Sequence, residues 1–498
     1  MPDAFIELRQ ATKRFAGVLA LDKIDFTLNA GEIHCLAGEN GSGKSTLIKL
    51  IAGVYRADGG EVRIGGRARP HLTPKEAIAA GVQVIYQDFS LFPNLKVAEN
   101  LALNTLLHEN RKTVAWSRVR ELGRQALARL GIDIDLDAEV GSLSTAQRQL
   151  VAIARALMAD VRLIIMDEPT TALTGREVDA LFKIVRDIQA KGIAVLFVSH
   201  KMREMLEISE RITVFRNGRK VAEGPTAEFD EASITRHMTG RDIDQSAFEW
   251  TGDTMAMPRL EVEGLAVPGI VEPTSFAIQA GEIVGLAGLL GAGRTELATA
   301  LFGMRPDHEG EIRIDGVKVN PRSVEEAIEA GIAYVPEDRL TEGLFLTQSI
   351  ERNFCASILD RLTRGLLLQS GQIREASLKT VDEMQVATPD VVRPVIQLSG
   401  GNAQRVLIGR WLLTGPKILI LNGPTVGVDV GSKELIHKQL RALARERGLS
   451  ILMISDDLPE LVHNSNRILL MHKGAIVETL ASASVNEDQL AAKLKALR

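Results

Sequence analysis

The chain has 498 residues, 45% hydrophobic and 25% charged, with a formal net charge of −5. At roughly 100–200 residues per domain it is too long for one ordinary core, and the composition excludes a disordered polymer. It shows no overall basic excess of the kind that marks nucleic-acid binding, and its two cysteines, Cys35 and Cys355, cannot build a disulfide scaffold or a cysteine-only zinc site.

The opening residues, Met1-Pro2-Asp3-Ala4-Phe5-Ile6-Glu7, lack the basic start and apolar core of a signal peptide. Phe15 lies ahead of the first predicted strand pair and fits a core position as well as a stacking surface. Ile33–Ala37 predicts a buried strand holding Cys35, and it runs into Gly38-Glu39-Asn40-Gly41-Ser42-Gly43-Lys44-Ser45, which satisfies G-x-x-x-x-G-K-[ST] and opens a predicted helix through Thr46. Such glycines let backbone N–H groups turn inward around phosphate oxygens, and the helix N-terminus adds a favourable dipole. Lys44 is placed to reach the β- and γ-phosphates, and the Ser45 hydroxyl to ligate Mg²⁺. Alone, the loop says only that a nucleoside triphosphate binds.

Gln87 follows the apolar run Val82–Tyr86 and is otherwise an ordinary exposed glutamine. The apolar run Leu163–Met166 ends in Asp167 and Glu168. Asp167 suits a Mg²⁺ water shell and Glu168 a general base, while a helix-capping acidic pair is the alternative. A third predicted strand, Ala194–Val198, is followed by Ser199 and His200; a lone histidine in such a place is commonly structural. No apolar run approaches the ~18 residues that span a bilayer, so any membrane role must go through partner subunits.

The chain then repeats itself. Gly31-Glu32-Ile33 recurs as Gly281-Glu282-Ile283 and Gly38 as Gly288, an offset of 250. Leu143-Ser144 recurs as Leu398-Ser399 and Pro169-Thr170 as Pro424-Thr425, an offset of 255. The second copy therefore carries an insertion of five residues between these marks. Its strands are predicted at Ile283–Ala287, Ile418–Leu421 and Ser450–Ile454, and strands alternating with helices imply a largely parallel α/β sheet. The boundary is expected in the polar stretch Arg241–Pro258, where Trp250 could pin the linker to a domain surface.

In order and spacing these marks resemble the ABC ATPase family over both repeats. The stretches Gly285–Leu297, Tyr334-Val335-Pro336-Glu337-Asp338-Arg339 and Leu398-Ser399-Gly400-Gly401-Asn402 resemble, more narrowly, the tandem ATPase subunits of simple-sugar importers of the ribose, galactose and xylose type. The resemblance implies an α/β fold of two tandem P-loop ABC-type nucleotide-binding domains, 1–240 and 259–498, joined by a linker at 241–258. Each would have a mostly parallel core sheet, an antiparallel β subdomain and a helical subdomain.

It further implies that Phe15 stacks on adenine, that Gln87 senses the γ-phosphate, ligates Mg²⁺ and faces a membrane partner, and that His200 contacts the γ-phosphate. Ser399, Gly400 and Gly401 form the signature motif, although Ser-Gly-Gly-Asn is equally a good helix N-cap. The implied cofactors are ATP and Mg²⁺. The implied partners are two transmembrane permease subunits and, indirectly, an extracytoplasmic sugar-binding protein, with no nucleic acid. The implied location is peripheral, on the cytoplasmic face of the inner membrane.

The second repeat departs from the pattern. In Gly288–Thr295, with Gly291 and Gly293 retained, Arg294 stands at the lysine position, a change shared with the importer group. Asn422-Gly423 replaces Asp167-Glu168, Glu337 replaces Gln87, and Asp456 replaces His200, where it would repel a γ-phosphate. Near Ala266–Gly269 no aromatic matches Phe15. The asparagine–glycine pair departs even from the importer pattern. The first repeat has its own change, since its signature reads Ser144-Thr145-Ala146.

In the head-to-tail sandwich that the family implies, one ATP meets Lys44, Ser45, Gln87, Asp167, Glu168 and His200 with Ser399–Gly401. The other meets Arg294, Glu337, Asn422, Gly423 and Asp456 with Ser144, and the losses collect there. The leading reading is the energy-coupling ATPase of a sugar or polyol importer with one hydrolytic site. A soluble tandem ABC ATPase of translation or DNA repair is the alternative, weakened by the absence of a long charged linker and of zinc cysteines. A third reading makes the second site pure scaffold, without nucleotide.

Overall fold

The structure, a computed structural model, describes residues 4–15, 18–87, 89–109, 114–170, 173, 175–199, 201–240, 248, 250, 252, 255–365 and 367–497. It divides into two units, Met1–Ile243 and Asp244–Arg498.

Unit one is built on a six-stranded sheet in the order Arg219–Pro225, Arg211–Arg216, Ile33–Gly38, Ala194–Val198, Leu163–Asp167, Val82–Ile85. All neighbours are parallel except the first pair, a hairpin. The central strands are mostly apolar because both faces are covered: Leu163, Ile164, Ile165 and Met166 are all fully buried, and the buried His34 satisfies its ring nitrogens on Glu32 and Thr213. A separate antiparallel sheet runs Val18–Asn29, Ala4–Phe15, Gly59–Ile64, Arg67–Ala68. The helices Val97–Glu109, Trp116–Leu130 and Thr145–Ala156 close over their own small core, which includes Leu101, Ala126 and Val151.

Unit two repeats this order: Ile332–Val335, Ile418–Asn422, Ser450–Ile454, Ile283–Gly288, Arg467–His472, Ala475–Ala481. Its antiparallel sheet runs Val271–Ile278, Leu260–Val267, Glu309–Ile314, Val317–Lys318. The expected α/β class, with parallel core, antiparallel sheet and helical part, holds in both copies.

Several expectations shift in detail. Phe15 does not precede the first strand pair. It ends the strand Ala4–Phe15, whose inward residues Ile6, Leu8 and Ala11 are buried. The register shifts along its pairing with Val18–Asn29 break the simple alternation that would mark a strand. The core strands run one residue past their apolar runs, because the ladder continues through Gly38 opposite Phe215, Asp167 opposite Val198 and Asn422 opposite Ile454.

The five-residue insertion is split. Asn100 Oδ1 accepts from Phe92 N–H and Asn353 Oδ1 from Phe345 N–H, each at 2.9 Å, so the offset there is already 253. Three of the extra residues thus lie in the loop after Val335. Of the stretch 241–258, Phe248 is buried in unit two, where its N–H donates to His463 O at 3.1 Å. Trp250 Nε1 donates to Ala280 O at 3.0 Å. Among the described residues no helix is long and apolar enough to cross a membrane.

Candidate nucleotide sites

In unit one the strand Ile33–Gly38 delivers the loop between Ala194–Val198 and Arg211–Arg216, at the carboxyl ends of the parallel strands, where open α/β sheets bind ligands. The loop ends at Gly43, which caps the helix Lys44–Ile51 with φ 109°. A Cβ on Gly43 would stand 2.7 Å from Ala20 O, so only glycine fits. Lys44 is 6% exposed, and its Nζ donates to Gly38 O at 2.5 Å and Glu39 O at 2.9 Å. Those carbonyls occupy donors that phosphate oxygens would otherwise take. Burial holds the Lys44 ammonium below its ordinary pKa, against the opposing pull of Glu168 and Asp167.

Asp167 is half-buried at its strand end, and burial, reinforced by the charge of Glu168, pushes its carboxyl up. A cation at this place would relieve that. The donors Ser45 hydroxyl, Asp167 carboxylate and Gln87 amide oxygen are the hard oxygens that Mg²⁺ prefers, so unit one fits the ion. Ser42 Oγ, buried in the loop, has no hydrogen-bond partner among the described residues, as expected of a group awaiting a ligand. Glu168 has φ 49°, an uncommon backbone for a glutamate, while its N–H is anchored on Val198 O at 2.9 Å.

Gln87 is exposed just past the strand Val82–Ile85. His200 lies outside the described residues. Phe15 is 37% exposed and packs edge-on against Tyr55, with ring centroids 5.1 Å apart and Lys13 Nζ 5.3 Å from its ring, so it is a ledge and not a core residue.

Both signature serines are helix N-caps. Ser144 Oγ accepts from Gln147 N–H at 3.2 Å, and Ser399 Oγ accepts from Asn402 N–H at 3.4 Å and from Asn402 Nδ2 at 2.8 Å. The capping chemistry is therefore present in each, beside any role toward nucleotide. Gly400 and Gly401 open the helix Gly400–Leu412.

In unit two Arg294 does not fold back into its loop as Lys44 does. Its NH2 donates to Asp456 Oδ1 at 2.6 Å and its NH1 to Ser455 O at 3.3 Å. Asp456, read from the sequence as an isolated repulsive charge, is instead the counter-ion of the loop's own cation. Asn422 Nδ2 faces Thr295 Oγ1 at 3.2 Å and Tyr334 OH at 3.4 Å. Gly423 has φ 59°, close to that of Glu168, and Glu337 leans over it: a Cβ there would meet Glu337 Cγ at 3.1 Å. These groups border a cavity of about 410 Å³ lined by Thr295, Tyr334, Glu337, Arg339 and Asn422. Arg339 ties its loop to the next by donating to Gly427 O at 3.1 Å and to Val426 O.

One residue escaped the sequence reading. Arg155, on the helix Thr145–Ala156, reaches the turn after Gln87, donating to Ser90 O at 2.8 Å and Phe89 O at 3.2 Å. Phe89 and Ser90 carry φ values of 60° and 46°, so this guanidinium holds a strained turn. Its counterpart Arg410 makes three bonds instead, to Gly343 O at 2.6 Å and to Asn353 O and Oδ1 at 2.7 Å. The signal available in the sequence was the recurrence of Arg155 as Arg410 at the 255-residue offset.

A glycine loop on a central parallel strand, with a lysine inside it and carboxylates at the end of the next strand but one, defines a P-loop nucleotide-binding cassette, and the second unit repeats the frame with arginine, asparagine and glycine at those positions. The ABC transporter family model matches residues 21–171 and 271–426. A ribose import ATP-binding protein of Rubrobacter xylanophilus is 40% identical over 99% of this chain and 94% of that protein, and a second from the same organism is 42% identical over 97% of each. A putative ribose/galactose/methyl galactoside import ATP-binding protein of Burkholderia ambifaria is 42% identical over 98% of this chain and 96% of that protein. The chain belongs to the ABC transporter family, among its tandem-cassette sugar import ATP-binding proteins.

Proposed function

We propose that this chain is the ATP-hydrolysing, energy-coupling subunit of an importer for a simple sugar or related polyol, with one hydrolytic site and one that binds nucleotide without hydrolysing it. The observation that carries the asymmetry is the contrast at the two strand ends: Asp167-Glu168 beside a buried Lys44 in unit one, Asn422-Gly423 beside a paired Arg294 in unit two. In the first site Lys44 exchanges its loop carbonyls for phosphate oxygens, Phe15 supplies the adenine ledge, and Glu168 accepts a proton from the attacking water. Gln87 and His200 sense the γ-phosphate. Mg²⁺, when bound to Ser45, Asp167 and Gln87, neutralises phosphate charge. Ser399–Gly401 is assigned a role toward nucleotide on the family resemblance.

The cassettes are assigned to 1–240 and 259–498, with 241–258 as linker. Two permease subunits and an extracytoplasmic binding protein would be the partners, and the chain would sit on the cytoplasmic face of the membrane. Glu168→Gln tests the one-site reading. ATP binding should persist while turnover falls by about 10²–10⁴, the usual worth of a general base. Sustained hydrolysis in that variant overturns the reading. Sugar uptake at full rate in membranes lacking this chain would overturn the coupling role.

A further inference from the structure

We propose that the glycine loop of unit two, Gly288–Thr295, takes its adenine nucleotide without Mg²⁺. The inference rests on the reading of this loop as a nucleotide site and concerns only how the nucleotide is held.

Mg²⁺ demands near-octahedral oxygen ligands and sheds water reluctantly, so it is bound where a carboxylate supplies charge. In unit one that carboxylate is Asp167. In unit two the position is Asn422, 4% exposed, which presents a neutral amide. Its Nδ2 faces Thr295 Oγ1 and Tyr334 OH, so the hydroxyl that would ligate the ion is already engaged. Turning the amide over would exchange donor for acceptor but leave the group neutral and both hydroxyls bound to it. The next position, Gly423, has no side chain.

Other carboxylates nearby do not replace Asp167. Asp456 is spent on Arg294. Asp338 is spent on the N–H groups of Leu340 and Thr341 and on the Thr341 hydroxyl. Glu337, which stands where Gln87 does, and Glu342 border the same cavity, but both are exposed on the loop after Val335 and neither is carried on the strand end that holds Asn422. The means of meeting phosphate charge are retained all the same: the turn through Gly291 and Gly293, the N-terminus of the eight-residue helix Arg294–Leu301, and Arg294 itself, whose guanidinium carries five N–H donors and spends NH2 on Asp456 and NH1 on Ser455 O.

The test uses the full chain carrying Lys44→Ala, which disables the loop of unit one. Fluorescent ADP and ATP are titrated in excess Mg²⁺ and again in excess EDTA. One equivalent should bind, with a Kd that changes by less than about twofold between the two conditions. Adding Asn422→Asp should make binding about tenfold tighter in Mg²⁺ than in EDTA, or roughly 1.4 kcal/mol. Binding that requires Mg²⁺ without that substitution overturns the inference while leaving the nucleotide-site reading intact, and loss of the requirement on Glu337→Gln would then name the ligand. Absence of nucleotide under both conditions overturns both. Should Lys44→Ala fail to fold, photolabelling of the unsubstituted protein with azido-ATP decides: label in the peptide around 288–295 must survive EDTA, and its disappearance refutes the proposal.

Discussion

Glutamate at position 423 would appear to restore what the second cassette lost, yet unit two is built around its absence. Gly423 has φ 59°. An L-residue in that region costs about 1–2 kcal/mol relative to glycine. The new Cβ would stand 2.9 Å from Val426 Cγ2 and 3.1 Å from Glu337 Cγ. Both belong to side chains on loops, so they rotate away, at about 0.5–1.5 kcal/mol if a rotamer is forced. Two facing carboxylates at ~4 Å would repel by about 4 kcal/mol at an effective dielectric of 20, but Glu337 is exposed and screening brings this nearer 1 kcal/mol.

The total for Gly423→Glu is about 3 kcal/mol, which for a unit of this size lowers its melting temperature by roughly 6–12 °C. Calorimetry of Gly423→Ala, Gly423→Glu and Gly423→Glu/Glu337→Ala separates the contributions. The alanine, which carries both the backbone and the Cβ costs, should cost about 1.5–3.5 kcal/mol, and Glu337→Ala should return about 1–2 kcal/mol to the glutamate variant. ATPase activity should not rise, even with Asn422→Asp added, because Arg294 and Asp456 remain paired. An unshifted transition, or a doubled rate, refutes the argument.

Three further outcomes are expected. Phe15→Ala should raise the KM for ATP by about tenfold, since a base stacked on an aromatic is worth about 1–3 kcal/mol, with little change in melting temperature because the ring is an exposed ledge. Arg155→Lys, which keeps charge but loses the planar fork, should increase amide exchange at Phe89 and Ser90 and slow ATP turnover; unchanged exchange would mean the turn holds itself. In unit two, Glu460 accepts from Ser455 Oγ and from Thr425 Oγ1 at 2.8 Å, and it pairs with His437 at 3.0 Å, with Lys433 and Asp457 nearby. Burial would raise its pKa, but the His437 hydrogen bond and charge, with Ser455 and Lys433, hold it below 4.5. Its stabilisation is therefore fully present above pH 4.5 and is lost as pH falls through the lower folded value, so Glu460→Gln should flatten the acid limb of unfolding of unit two.

Much of this protein is legible because its determinants are local. Gly38–Ser45 needs only its own glycines and the strand and helix that flank it. Leu163–Met166 announces a buried parallel strand by being apolar at every position. The five-residue drift between repeats was visible, but not that three of those residues lengthen the loop after Val335. Phe15 was misplaced because register shifts along its strand erase the period-two pattern.

The class of chemistry, the duplication and the inequality of its two copies follow from the order of amino acids alone. Each is carried by residue type at fixed spacing, which the chain keeps whether folded or not. What the altered residues do to one another is set by the folded arrangement. Arg294 and Asp456 are 162 positions apart and read separately as a weakened cation and a misplaced anion. They meet because Ser450–Ile454 pairs directly beside Ile283–Gly288, which brings the ends of both strands to one edge of the sheet. Asn422, on the strand Ile418–Asn422 that pairs next to Ser450–Ile454, reaches Thr295 in the same way. Strand order is set by how apolar faces are buried across the whole sheet, and no local pattern encodes it.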